Sequence, residues 1–164
     1  MRHLSLTALF LGSTLLANCA ADLSLVETVS FANVSEARSA AALISRYRAG
    51  YGLGPVTVDD RLNRAAEHQA RAVAATGILS HGEFTSRMAA YGIRGYRAEN
   101  LAAGSDSVAD VIARWKASPG HNQNLLLPQV TRIGLARVDT PRNGWGRYWA
   151  LVLSSDQPDA QASQ

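Results

Sequence analysis

A layered α+β sandwich is the fold class this sequence predicts, on three observations. Apolar residues recur at helical spacing from about Asn33 to Pro128. The chain then changes to two strand-like runs, TRIGLARVD (Thr131 to Asp139) and RYWALVLSS (Arg147 to Ser155), parted by turn-rich TPRNGWG. Both runs are apolar on both faces, as in strands covered on two sides. Helices flanking a small sheet, with a hairpin at the end, stack in layers. Periodicity alone does not choose the topology.

The elements follow in order. Arg2 and His3 lead the apolar run LSLTALFLGSTLLA, too short for a comfortable membrane span, so residues 1–18 read as an export signal. The run ends in LANCAAD. A leucine three before Cys19 among small residues is similar to a bacterial lipoprotein cleavage box, although Asn18 departs from the usual small residue. Lipidation of Cys19 is expected to anchor the chain to a membrane. The alternative is ordinary cleavage after Ala21, which removes the cysteine. Both routes export the protein to the periplasm or cell surface. Ala20 lacks the aspartate that marks inner-membrane retention in some bacteria, which leans toward the outer membrane. Cys19 is the sole cysteine, so no disulfide forms within the chain. Residues 19–32 read as anchor and spacer, 33–155 as one domain, and 156–164 as a disordered tail.

The first helix is expected near Asn33, with Glu36 as capping-box partner and Ala37, Ala40, Ile44 and Tyr47 on one apolar face. GYGLGP ends it as a loop, and Val56 to Val58 is a short extended piece. Asp59 or Asp60 caps a second helix. Its stripe is Leu62, Ala65, Ala66, Gln69, Ala70 and Val73, with Gly77 as the stop. The small alanines predict close packing on a neighbouring layer. A short helix from about Phe84 to Tyr91 carries Phe84, Met88 and Tyr91 on one side. Ser107 caps the next helix, where Val108, Val111, Ile112 and Trp115 are spaced i, i+3, i+4, i+7. In SPGHNQNLL, Ser118 is expected to accept from free first-turn N–H groups. Pro119 suits the first helical position. That puts His121 in the first turn, where the helix dipole favours neutral imidazole, the form that binds metal or accepts a proton.

Composition narrows the functional classes. The chain has 164 residues, 47% of them hydrophobic, enough for one well-formed core. The formal net charge is +3, and Lys116 is the only lysine among scattered arginines. No basic stripe with interleaved aromatics is present, so no nucleic-acid partner is expected. A pI of about 9.4 suits an anionic envelope only weakly. A monomer is expected.

The chemistry rests on few residues. His68 points away from the second helix's stripe and reads as a surface or structural histidine. His81 sits in ILSHGEF, a junction between helices. Glu99, in RAENLAAG, is expected with Asn100 on a strand or loop whose polar residues point one way and whose Leu101 points the other. Two histidines and a carboxylate from separate segments suit either a zinc site with an open position or a proton-transfer group with Glu99 as base. Spacing alone does not decide. Neither Ser80 nor Ser118 sits in a GxSxG elbow, which argues against a serine nucleophile.

Taken in order, these segments resemble a bacterial member of the CAP superfamily, which groups cysteine-rich secretory proteins, antigen 5 and pathogenesis-related proteins. LNRAAEHQARAVAATGILSH resembles the family's helix leading to its first histidine. RAENLAAG resembles its GEN segment. VIARWKASPGHNQNLL resembles its tryptophan helix followed by a second histidine, and IGLARV and RYWALVL its terminal strands. The resemblance spans about Val34 to Ser155. It implies a three-layer α-β-α sandwich whose cleft holds His81, Glu99, Asn100 and His121. It also implies a divalent metal, often zinc, on His81 and His121. The family's second cleft acid has no match in Lys116 to Pro119, and Asn122 replaces a common arginine. With that set incomplete, the expected function is a binding module with a lipid or other envelope ligand. The alternatives are a zinc-dependent hydrolase using the same cleft and a structural cell-envelope protein.

Overall fold

The computed structural model describes residues 20–140 and 145–155, with side chains from residue 34. The expected export signal, Cys19 and the tail after Ser155 lie outside the described residues. The elements are α1 (Ala20–Ala49), β1 (Thr57–Val58), α2 (Asp60–Thr76), α3 (Phe84–Ala90), β2 (Arg97–Ala103), α4 (Val108–Ala117), α5 (Pro119–Leu125), β3 (Arg132–Asp139) and β4 (Arg147–Ser154). The sheet order is β1-β3-β4-β2, with β1 parallel to β3 and the other pairs antiparallel. The expected terminal hairpin is β3–β4.

Strand alternation divides the core into two apolar layers. Trp149, Leu151 and Leu153 of β4 face α1, α4 and α5. Tyr148, Ala150 and Val152 face α2 and α3. The sheet is therefore covered on both sides, and the chain is an α-β-α sandwich. No helix among the described residues is long and apolar enough to cross a membrane.

α2 lies against β3 with almost no gap. Leu62, Ala65, Ala66, Gln69, Ala70 and Val73 are all buried, as the stripe predicts. A β-carbon on Gly134 would sit 2.1 Å from the Leu62 carbonyl carbon and 2.2 Å from the Asn63 nitrogen. Asp59 is the cap, accepting from the N–H groups of Arg61 (2.8 Å) and Leu62 (3.4 Å). At the other end Gly77 adopts φ 73°, the left-handed turn that glycine allows cheaply. Ser107 caps α4 by accepting from the Asp110 N–H at 3.2 Å.

Three local expectations are corrected. α1 already runs from Ala20 through Asn33 instead of starting there, because no glycine or proline interrupts residues 20–49. Asn33 is therefore inside the helix, and Glu36 pairs with Arg137 instead of closing a capping box. The face through Ala37, Ala40 and Ile44 continues on Arg48, fully buried, while Tyr47 is only half-buried. Arg48 donates to the carbonyls of Gly54 (2.9 Å), Leu125 (2.8 Å), Leu127 (2.9 Å) and Val130 (2.9 Å). Ser118 stands at the start of α5 but makes no side-chain cap. Its backbone serves both helices, giving its N–H to Trp115 and its carbonyl to Asn122.

Candidate functional site

β2 is the backbone of the site. Its consecutive residues point to opposite faces, so Glu99 and Asn100 do different work. Glu99 shares a face with Leu101, on the α2–α3 side. Asn100 points to the α5 side. The expectation that both polar residues face one way and Leu101 the other is corrected by this strict alternation.

Glu99 is committed on both oxygens. Oε1 meets His81 Nδ1 at 2.8 Å, and Oε2 accepts from Arg87 Nη2. Arg87 also donates through Nη1 to Gln69 Oε1 and to the His81 carbonyl, the latter at 3.2 Å. Gln69 Nε2 in turn donates to the Ser80 carbonyl. A buried Gln-Arg-Glu chain thus clamps the loop that carries His81. The Glu99 side chain is 2% exposed and the His81 side chain 56% exposed, so a sequestered carboxylate orients an open imidazole. With the proton on Nδ1 and donated to Glu99, Nε2 keeps its lone pair, the arrangement that orients metal-binding histidines.

Asn100, fully buried, fixes the other histidine through the backbone. Its Nδ2 donates to the His121 carbonyl at 3.0 Å, and its Oδ1 accepts from Asn124 Nδ2 at 2.9 Å. His121 is the third residue of α5, in the first turn as expected. Burial holds its pKa below the ordinary 6.5, with the charges of neighbouring His81 and Arg114 acting the same way. The expected neutrality thus arises mainly from lost solvation, reinforced by the Arg114 guanidinium.

Ser80 is spent on its turn, its Oγ accepting from the Gly82 N–H at 3.2 Å. His68 is exposed and lies outside this constellation, its Nδ1 3.3 Å from the Tyr91 hydroxyl. Among the described residues, no group of three or more His, Cys, Asp and Glu side chains is placed to hold a metal ion. The donors present are two imidazoles with an orienting carboxylate. They fit a site completed by solvent and not a closed four-ligand cage.

Sequence reasoning missed Arg87, Gln69 and Asn124. Arg87 was legible in part: it occupies the i+3 position between Phe84 and Tyr91, on the apolar face of α3. A charged residue there needs a buried partner.

An α-β-α sandwich with one histidine on a loop and another in the first turn of a helix, beside a buried Glu-Asn strand, defines a recognisable class. The chain belongs to the CAP, or cysteine-rich secretory protein, family, whose sequence model matches residues 41–153. It is similar to the uncharacterized protein YkwD of Bacillus subtilis, 29% identical over 104 residues. That match covers 60% of this chain, and the chain spans only 40% of the length of that relative. Among solved structures it resembles an outer surface protein of Borrelia burgdorferi. There the TM-score is 0.63 and the identity 19%, over 86% of this chain and 97% of that one. It also resembles an extracellular SCP-domain protein of Bacillus anthracis, with a TM-score of 0.66 and 18% identity over 78% of this chain and 43% of that one. At these identities the two structures speak for the fold.

Proposed function

We propose that this chain is an exported, lipid-anchored CAP binding module of the cell envelope, with a divalent-metal site on His81 and His121. The ligand class is a lipid or cell-wall component. One observation carries the binding reading over the hydrolytic one: Glu99 has both oxygens engaged, by His81 and by Arg87. A general base needs an oxygen free to take a proton from water. Glu99 instead sets the His81 ring, leaving Nε2 for a metal such as zinc.

Export and anchoring at Cys19 draw support from the apolar leader and its lipobox-like end. The likeness to an outer surface protein and to an extracellular SCP-domain protein points the same way.

Calorimetric titration of zinc into the chain tests the reading, with His81→Ala, His121→Ala and Glu99→Gln alongside and circular dichroism to check folding. The expected result is one saturable site, lost in both histidine variants and weakened roughly 10- to 100-fold in Glu99→Gln, as for an orienting carboxylate. Absence of binding in the folded chain would reduce the histidines to scaffold. Peptide or ester hydrolysis that a chelator removes and zinc restores would assign a hydrolase instead.

A further inference from the structure

Trp145, just before β4, stands apart from the histidine pair. It meets the chain beyond the far end of β2, and Glu99 to Ala103 alone spans roughly 13 Å of that strand. The chain has three tryptophans. Trp115 and Trp149 are buried in the core, whereas Trp145 is 65% exposed. Its contact is with Gly104, where a β-carbon would lie 3.0 Å from Cε3 of the indole and 3.6 Å from Cζ3. The six-membered ring therefore rests on bare backbone, and most of the indole is left in solvent.

The ground beneath the ring is pinned. The Gly104 N–H donates to the Arg147 carbonyl at 2.9 Å. The Ser105 carbonyl accepts from Trp149 Nε1 at 2.9 Å, and its Oγ from Arg114 Nη1 at 3.0 Å. Arg147 Nη1 donates to both the carbonyl (2.9 Å) and Oδ1 (3.0 Å) of Asp106. An aromatic surface fixed in this way loses little freedom when it meets a ligand.

A polar edge adjoins it. Arg147 follows Trp145 by two residues, and Asp106 follows Gly104 by two. The Asp106 side chain is 91% exposed, and its Oδ2 has no bond among the described residues. Arg147 spends Nε on Asp139 and Nη1 on Asp106, while Nη2 has no bond among the described residues. One acceptor and one donor, joined through an ion pair, thus flank the exposed indole.

We infer that Trp145, Asp106 and Arg147 form a stacking site for a β-1,4-linked glycan. This deepens the binding-module reading by naming a cell-wall partner, and rests on it only for the envelope as the source of that partner. A pyranose with equatorial hydroxyls has a face of C–H groups and a rim of hydroxyls. The face suits an open indole, which is apolar in body. The rim suits the charged edge: Asp106 Oδ2 accepts a hydroxyl hydrogen, and Arg147 Nη2 donates to a neighbouring sugar oxygen. β-1,4 links keep successive rings extended, so the chain can cross a surface that encloses nothing. A membrane is the other occupant that an exposed tryptophan suggests. Against it, the Arg147 network brings the carboxylates of Asp106 and Asp139 to this end, and an anionic bilayer repels both.

The test is calorimetric titration of the full chain with tetra-N-acetylchitotetraose and with cellotetraose, which share the β-1,4 backbone and differ in the acetamido group. Acrylamide quenching of tryptophan fluorescence locates the binding, because Trp145 is the exposed tryptophan of the three. We expect at least one tetrasaccharide to bind and to shield Trp145 from acrylamide. Preference for the first assigns an N-acetylated glycan, and equal or stronger binding of the second assigns plain hydroxyls; both uphold the site. Trp145→Ala should weaken binding about tenfold or more, as for a tryptophan at the centre of a contact. Asp106→Asn should weaken it about threefold, the share of one hydrogen bond. Circular dichroism checks that both variants fold. Failure of both sugars to bind would overturn the proposal. So would binding unchanged in Trp145→Ala, or shielding of Trp145 by phosphatidylglycerol vesicles and by neither sugar. A zinc titration separates the two readings: zinc failing while a sugar binds sinks the metal site alone, and the reverse sinks the glycan site alone.

Discussion

Replacing Arg87 with methionine isolates the buried ion pair that supports the His81 loop. The exchange keeps most of the side-chain stem, whose guanidinium carbon lies 5.6 Å from the centre of the Phe84 ring. It removes the charge that faces Glu99 Oε2 in a pair whose side chains are 6% and 2% exposed. It also strands Gln69 Oε1. Breaking a buried pair from one side leaves an uncompensated charge, which costs about 3–5 kcal/mol. For a domain of this size each kcal/mol moves the melting temperature by roughly 4 °C, so Arg87→Met should melt roughly 12–20 °C lower. Glu99→Gln in the same background removes the stranded charge. The double variant should therefore be more stable than the sum of the two single losses, by about 2 kcal/mol. Urea unfolding followed by circular dichroism, with a common m-value, measures all four corners of the cycle. A loss under about 1 kcal/mol in Arg87→Met, or no coupling in the cycle, would refute the account of Glu99 as a carboxylate held by Arg87.

Two further outcomes follow from the packing and from the charge of His121. Gly134→Ala puts a methyl 2.1–2.4 Å from the Leu62 and Asn63 backbone, against an ordinary contact of at least 3.4 Å. Helix α2 must lift from the sheet, at a cost of about 3 kcal/mol or more. Denaturant unfolding checks this, and a near-neutral result would mean that the helix does not approach the strand so closely. The folded pKa of His121 lies below 6.5. As pH falls, the unfolded chain therefore takes the proton first, and the His121 contribution to stability, complete above about 6.5, is lost as pH drops through the folded value. Between pH 7.5 and 5, in the presence of chelator, His121→Gln should lose less stability than the parent chain. Equal losses would count against a half-buried neutral imidazole.

Much of the architecture was legible because apolar periodicity is a direct consequence of burial. The α2 stripe, the β3–β4 hairpin and the caps at Asp59, Gly77 and Ser107 all follow from residue type and spacing. The two buried arginines were missed for one cause. Arg48 and Arg87 are charged residues at core positions, and hydropathy reads them as surface. Their partners are distant in sequence: Arg48 binds carbonyls near residue 125 and beyond, and Arg87 binds Gln69 and Glu99. Ser118 has the composition of a cap, but its place between abutting helices turns it to backbone service. His81 and His121 were singled out through their motifs. The division of labour on β2 needed the strand register, which puts Glu99 and Asn100 back to back.

The chain bears the name of a cysteine-rich family with a single cysteine, at position 19. Arg48 does non-covalently what a cystine bridge would do, joining the end of α1 to the loop at Gly54, to the end of α5 and to the approach to β3. A guanidinium needs neither an oxidant to form its links nor protection from thiols to keep them. These closing contacts are therefore indifferent to the redox state of whatever compartment holds the domain.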